Sequence, residues 1–366
     1  MALPTRAHTH RRHTAATPRC ARTRADATAG DALLRNLALA ALVSCVAAPS
    51  AAQDSPAWGV AVTPRNFPEY TLEDVDEAYE IATELGDYSV FIVQWSQLDG
   101  AAVRLLVEKS RHVGLQPIVG LSPTTLDLGR KELDLPAGVR RRAGLWVSFA
   151  NPIVRAEFMK AAVGLASLQP PYLCLATEIN FLAVHRPDEY LHFVTLFKET
   201  KALIERISPR TRVFVSFQWE LMRILDAREP HKIAEHRKLV DVFRPQLDLV
   251  GLTTYPAPFH ETPADLVPDY FTWLAHHVVP SDEILLMEIG WPSRGTGSEA
   301  EQREFVRALP QLLDGVNVSV AAWALLHDVA LEVFDDNLNS VGLVTIDGRR
   351  KPAFEAFQKL RATTRP

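Results

Sequence analysis

The chain has little cysteine, no excess of positive charge and no apolar segment long enough to cross a bilayer. Three cysteines in 366 residues exclude a disulfide-built scaffold and a four-cysteine zinc site. With 39 Lys+Arg against 44 Asp+Glu, the net charge is −5, and the basic face that a nucleic-acid partner requires is missing. The apolar run Leu37 to Val46 falls far short of the roughly 20 residues of a spanning helix. There is no P-loop, no dinucleotide fingerprint, no GxSxG elbow and no HExxH motif. His185, His260, His276, His277 and His327 are scattered without metal-ligand spacing, so neither a metal nor another cofactor is expected. What is present is 47% hydrophobic and 23% charged residues, the balance of a folded protein with a sizeable core.

The average charge conceals two unlike segments. Residues 1–52 hold seven Arg, no Lys and two acids (Asp26 and Asp31), for a net +5, which leaves −10 on residues 53–366. Within the leader, Arg35 precedes the apolar run, and Ala47, Ala48, Ser50, Ala51 and Ala52 follow it. A charged start, a short apolar run and a small-residue cleavage zone make an export signal. Ser50-Ala51-Ala52 suits ordinary cleavage before Gln53, whereas Leu42-Val43-Ser44-Cys45 suits lipidation of Cys45 and a membrane anchor. Both exported forms stay open: periplasmic or cell-surface lipoprotein, and released extracellular protein. The body keeps only Cys174, which lies in an apolar run and reads as a small core residue.

Eight apolar runs follow: Trp58–Thr63, Tyr88–Trp95, Leu115–Leu121, Tyr172–Glu178, Arg212–Gln218, Asp248–Tyr255, Ile284–Gly290 and Ser319–Ala324. They are nearly continuous rather than alternating, as expected of strands buried on both faces. Amphipathic stretches lie between them, such as Val75, Ala78, Ala82 and Leu85 at spacings of three and four. Pro187 with Asp188 and Glu189, and Ser298 with Glu299 and Glu301, mark helix starts, and Pro352–Leu360 marks a last helix. Alternating strands and helices over this length predict an α/β fold, a single (β/α)8 TIM barrel over residues 53–366. A doubly wound sheet is disfavoured because no Gly-rich turn follows a strand. The long interval Ser122–Ala150, with Arg140, Arg141, Arg142 and Trp146, is expected to be an enlarged loop on the active face.

In such a barrel the site lies at the C-terminal ends of the strands. Two of the runs end in carboxylates, Glu178 on the fourth and Glu288 on the seventh, and a charge there is costly unless paired or functional. Facing carboxylates with aromatic neighbours suit glycosidic-bond cleavage, provided their pKa values are forced apart. Trp95, Trp219, Trp291 and Trp323 would supply stacking platforms for sugar rings, although Trp95 suits barrel packing equally well.

At these residues the sequence resembles the clan-A retaining glycoside hydrolases. Thr-Glu178-Ile-Asn180 and Met-Glu288-Ile-Gly-Trp-Pro292 look like that clan's acid/base and nucleophile segments, most like those of bacterial endo-β-1,3-glucanases and endo-β-1,4-galactanases. Val213–Phe217, Val250–Pro256 and Gly342–Ala353 are similar to the fifth strand, the sixth strand and the closing segment of the clan. The resemblance spans Trp58 to Leu360. It implies Glu178 as acid/base, Glu288 as nucleophile and Tyr255 as the nucleophile's hydrogen-bond donor, with a plain core tyrosine as the alternative; Trp323 at a strand end is expected to floor the sugar site, and Asn180 and Gln218 are candidate hydroxyl contacts. Much of the clan has Asn directly before the acid/base, where this chain has Thr177. The expected activity is retaining endo-hydrolysis of a β-linked polysaccharide or oligosaccharide, a β-1,3-glucan first and a β-1,4-galactan second, by a monomer. The alternatives are a transglycosylase and a non-catalytic glycan-binding lipoprotein.

Overall fold

The computed structural model describes residues 55–364 apart from 128, 225–229 and 281. The leader, with its cleavage zone and Cys45, lies outside the described residues.

Nine parallel strand segments form one sheet: β1 (Ala57–Ala61), β2 (Tyr88–Gln94), β3 (Gln116–Ser122), β4 (Tyr172–Cys174), β5 (Arg212–Phe214), β6 (Ser216–Gln218), β7 (Val250–Thr254), β8 (Ile284–Ile289) and β9 (Val318–Trp323). Their order is β5-β4-β3-β2-β1-β9-β8-β7-β6. The two outermost segments are consecutive in the chain, separated only by Val215. Phe214 O accepts from Leu175 N on one side at 2.9 Å, and Val215 O from Gly251 N on the other at 3.0 Å. β5 and β6 are therefore one interrupted strand, the sheet closes on itself, and the architecture is the (β/α)8 barrel expected from the sequence.

The helices are α1 (Leu72–Leu85), α2 (Gly100–His112), α3 (Ala137–Ala143), α4 (Pro152–Ala166), α5 (Asn180–His185), α6 (Pro187–Ile207), α7 (Trp219–Ile224), α8 (Pro230–Asp241), α9 (Thr272–His277), α10 (Glu299–Leu312), α11 (Asp336–Asn339) and α12 (Pro352–Thr364). Their starts follow local chemistry. Thr71 and Asp74 form a reciprocal capping box on α1, Asn151 caps α4 ahead of Pro152, and Ser298 accepts from Glu301 N at the head of α10.

Apolar residues divide between two cores according to strand parity. Val90, Ile118, Tyr172, Cys174, Phe214, Leu285, Met287, Val320 and Ala322 fill the barrel interior. Their neighbours Val119, Leu173, Val215, Leu286, Ala321 and Trp323 face the helices. Interior volume is tight. A Cβ on Gly251 would lie 2.6 Å from the Phe214 ring, and one on Gly120 would lie 2.7 Å from Met287 Cε.

One irregularity decides the site. β8 pairs with β7 as Leu252↔Leu286 and then Thr253↔Glu288, so Met287 is an extra residue in the ladder. Without that bulge Glu288 would share the outward parity of Ile284 and Leu286. The bulge turns it to the inner side with Leu285 and Met287, while Ile289 resumes the outward set.

Candidate active site

Glu178 and Glu288 meet at the mouth through β7. Thr253, the register partner of Glu288, donates its hydroxyl to Glu178 Oε1 at 2.7 Å. Tyr255, one residue past β7, donates to Glu288 Oε2 at 2.5 Å. Glu178 sits just beyond β4 in a left-handed backbone conformation (φ 52°), and its amide is held by Ser216 Oγ at 3.0 Å. Such a conformation is uncommon for a non-glycine residue, and here it goes with a carboxylate aimed at the strand ends.

Arg130 completes the cluster, and sequence reasoning missed it. Its Nε donates to Glu178 Oε2 at 2.6 Å, and its NH1 reaches Ser122 Oγ at 3.3 Å. Both members of the ion pair are nearly enclosed, with side-chain exposures of 10% and 12%. Burial opposes the charge on Arg130, yet the carboxylates of Glu178 and Glu288 outweigh it and hold the guanidinium pKa above its ordinary value. Among the described residues no cation is paired with Glu288. Burial, then the charge of Glu178, push it up to about 7, with Tyr255 and Arg130 pulling in the other direction. Tyr255 is pushed well above the phenol range, by burial first and then by the Glu288 charge. The arrangement can hold one proton between two carboxylates at neutral pH, the condition for acid/base work at a mouth of this kind.

The aromatic expectations are corrected. Trp95, Trp219, Trp291 and Trp323 are all 2% exposed or less and belong to the packing between strands and helices. Trp323 has the outward parity of Ala321, packs edge-on to Phe357 of α12 and donates its indole N–H to Val341 O at 2.8 Å. It does not floor a sugar site. Trp291 packs on Phe305 of α10, Trp95 on Phe158 of α4, and Trp219 between Tyr270 and Trp273.

The amide contacts are corrected as well. Asn180 exchanges two hydrogen bonds with the backbone of Gln218, at 2.8 and 2.9 Å, tying α5 to β6. The Gln218 side chain bonds Glu220 and the Leu221 amide. Both are taken up by protein partners, so neither is a free hydroxyl contact. Glu220 is itself a structural carboxylate, raised by burial and held by Thr254 and Tyr270 hydroxyls. Thr177 is fully enclosed and its hydroxyl has no partner among the described residues, so the position filled by Asn in the resembling clan offers nothing to a ligand here. Cys174 lies inside the barrel, its thiol pushed up to about 12 by burial. The loop arginines split: Arg140 bonds Leu133 O, and Arg142 pairs with Glu157 at the surface.

Exposed aromatics occur instead on segments that follow strands. Tyr70 comes after β1, Trp146 after β3 and Phe259 after β7, at 46, 55 and 50% exposure. These segments belong to the strand C-terminal side, where the active-site loops of this architecture lie.

No protein-family model and no curated protein matches the chain. Solved structures do. A GH5_18 protein from Streptomyces cattleya, in complex with Manβ1-4GlcNAc, is 21% identical over 85% of this chain and 81% of its own, with a TM-score of 0.64. A GH5_18 protein from Bifidobacterium longum subsp. longum is 18% identical over 84% and 78%, with a TM-score of 0.63. The exo-β-1,4-mannosidase Op5Man5 of Opitutaceae bacterium strain TAV5 is 16% identical over 86% and 62%, with a TM-score of 0.64. At these identities the likeness establishes the barrel fold.

Proposed function

We propose that the chain is a retaining glycoside hydrolase acting on a β-linked glycan, with Glu288 as nucleophile and Glu178 as acid/base. The observation that carries this reading is the pair itself: two half-buried carboxylates, one just beyond β4 and one on β8, linked through Thr253, with Arg130 paired to Glu178 and felt electrostatically by Glu288. Glu288 is suited to attack, because Tyr255 fixes Oε2 and leaves Oε1 without a hydrogen bond among the described residues. In a retaining mechanism that oxygen forms the glycosyl-enzyme while the other carboxyl protonates the leaving oxygen and then activates water. The barrel likeness to glycosidase structures agrees with this reading.

For the substrate, the sequence segments favour a β-1,3-glucan, then a β-1,4-galactan, and endo action. The structural neighbours bring β-mannosides into the same screen, since one carries Manβ1-4GlcNAc and another is named an exo-β-1,4-mannosidase. Tyr70, Trp146 and Phe259 replace the enclosed tryptophans as stacking candidates. The leader supports export, with release after Ala52 or anchoring through Cys45. Mass spectrometry of the mature N-terminus distinguishes the two.

The test is Glu288→Ala against a panel of β-glycans. Hydrolysis should fall by at least about a thousandfold with folding intact, and azide should restore part of it with inverted product anomer. Undiminished hydrolysis by the variant overturns the assignment. The Arg130–Glu178 pair favours one second reading, a non-catalytic glycan binder, which predicts glycan affinity without turnover in the wild-type chain.

A further inference from the structure

The two carboxylates are unequally equipped. Both oxygens of Glu178 accept hydrogen bonds, Oε2 from Arg130 at 2.6 Å and Oε1 from Thr253 at 2.7 Å. Glu288 accepts one, from Tyr255 to Oε2. A guanidinium can only donate and carries a positive charge, so a proton on Glu178 Oε2 is disfavoured while Arg130 occupies it. A proton on Oε1 would make Thr253 its acceptor and commit it to the protein rather than to a leaving-group oxygen.

We infer that Arg130 is a positioning residue for the acid/base: it places the pair's single proton on Glu288, and it must withdraw from Glu178 before Glu178 can protonate a leaving group. The inference rests on the glycosidase reading for its consequence in catalysis, but not for the placement of the proton.

The backbone supports a dedicated role. Arg130 has φ 42°, a conformation costly for an arginine. It follows a turn in which Asp127 Oδ1 accepts from Gly129 N at 2.8 Å, and Asp127 O from Arg130 N at 3.1 Å. A long cation held in a strained conformation and nearly enclosed is aimed by its surroundings. Among the described residues, the charged and titratable groups facing the dyad are Arg130 from the loop after β3, Tyr255 after β7, and Cys174 below on β4. Arg130 is the cation among them, and it lies on Glu178. The rise of Glu288 to about 7 agrees with this placement.

Productive binding then requires an exchange. The O–H bond on Glu288 breaks and one forms on Glu178, so the pair keeps one negative charge and moves it to the nucleophile. Arg130 follows the charge or turns to a substrate oxygen.

Carbon-13 NMR titration of glutamate-labelled protein reads the proton directly. In the wild type the first proton taken up by the pair as pH falls should appear on Glu288. In Arg130→Gln, occupancy at pH 7 should shift at least about tenfold toward Glu178, a change equal to one pH unit. In Arg130→Lys, which keeps the charge, it should stay on Glu288. A first proton on Glu178 in the wild type, or the same site in wild type and Arg130→Gln, overturns the inference. If Arg130→Gln does not fold, the wild type and Arg130→Lys decide it. Kinetics supply the second readout. Arg130→Gln should move the basic limb of kcat/KM to higher pH for an unactivated glycoside, and change little for a dinitrophenyl glycoside, which departs without a proton. A purely structural arginine would lower both equally. Absence of turnover in the wild type with the expected titration would overturn the glycosidase reading alone.

Discussion

Two buried ion pairs stand on the same side of the barrel and differ in completeness. Lys351, at the head of α12, pairs with Asp328, after β9, and both side chains are 1% exposed. Lys351 Nζ contacts Asp328 Oδ1, Ser293 Oγ, Ser340 O and Gly342 O, all within 3.0 Å. Asp328 takes a second cation, Arg294, at 3.3 Å. Burial raises the Asp328 pKa and lowers that of Lys351, the penalty expected of an enclosed pair, and the surrounding acceptors offset it. At the mouth one arginine serves two carboxylates, and Glu288 is left with a phenol. Burial alone therefore does not tell the two clusters apart. The count of partners does: Lys351 and Asp328 form a closed pair, fully engaged, whereas Glu288 Oε1 has no hydrogen bond among the described residues.

Predictions follow from trying to break that contrast. Glu288→Gln should reduce kcat by at least about a thousandfold, about 4 kcal/mol of barrier. Its denaturation midpoint should be equal or higher, because it removes an under-compensated charge. Lower stability in urea melts would place Glu288 with the closed pair. Lys351→Met should do the reverse, costing about 3–5 kcal/mol of stability by stranding Asp328. The kcat of its folded fraction should be unchanged, as checked by activity normalised to circular dichroism.

The third effect concerns pH. Glu288 binds its proton more tightly folded, at about 7, than its ordinary 4.5. Its contribution is fully present below about pH 4.5 and is lost as pH rises through 7, on the order of 3 kcal/mol. Glu288→Gln should flatten that slope in chemical denaturation at a series of pH values, and a slope of opposite sign would contradict the burial argument. Smallest is Trp323→Phe, which should cost about 1–3 kcal/mol as a core substitution and leave KM for any glycan unchanged. A raised KM would return Trp323 to the mouth.

The strands were legible because both faces are buried, which leaves apolar runs that end where polar chemistry begins. The placement of Glu178 and Glu288 at the strand C-terminal side was legible for the same reason. Trp323 was misplaced because a run such as Val318–Trp323 shows no alternation, and parity is set by the ladder with β1 and β8. Asn180 and Gln218 were misread because a strand-end amide serves the backbone as readily as a sugar. Arg130 carried no periodic signal inside a long polar loop. The one available hint was that two carboxylates at strand ends need a cation, and the Ser122–Ala150 interval was the enlarged loop able to supply one.

The bulge at Met287 makes the direction of Glu288 depend on register rather than on residue identity. The same residues paired without the bulge would read identically in a short motif, yet Glu288 would take the outward parity of Ile284 and Leu286. Gly120 ties the opposite wall to this arrangement, since the Met287 side chain occupies the space a Cβ there would claim. A bulge at one rung and the absence of a methyl group at another thus set which way Glu288 faces.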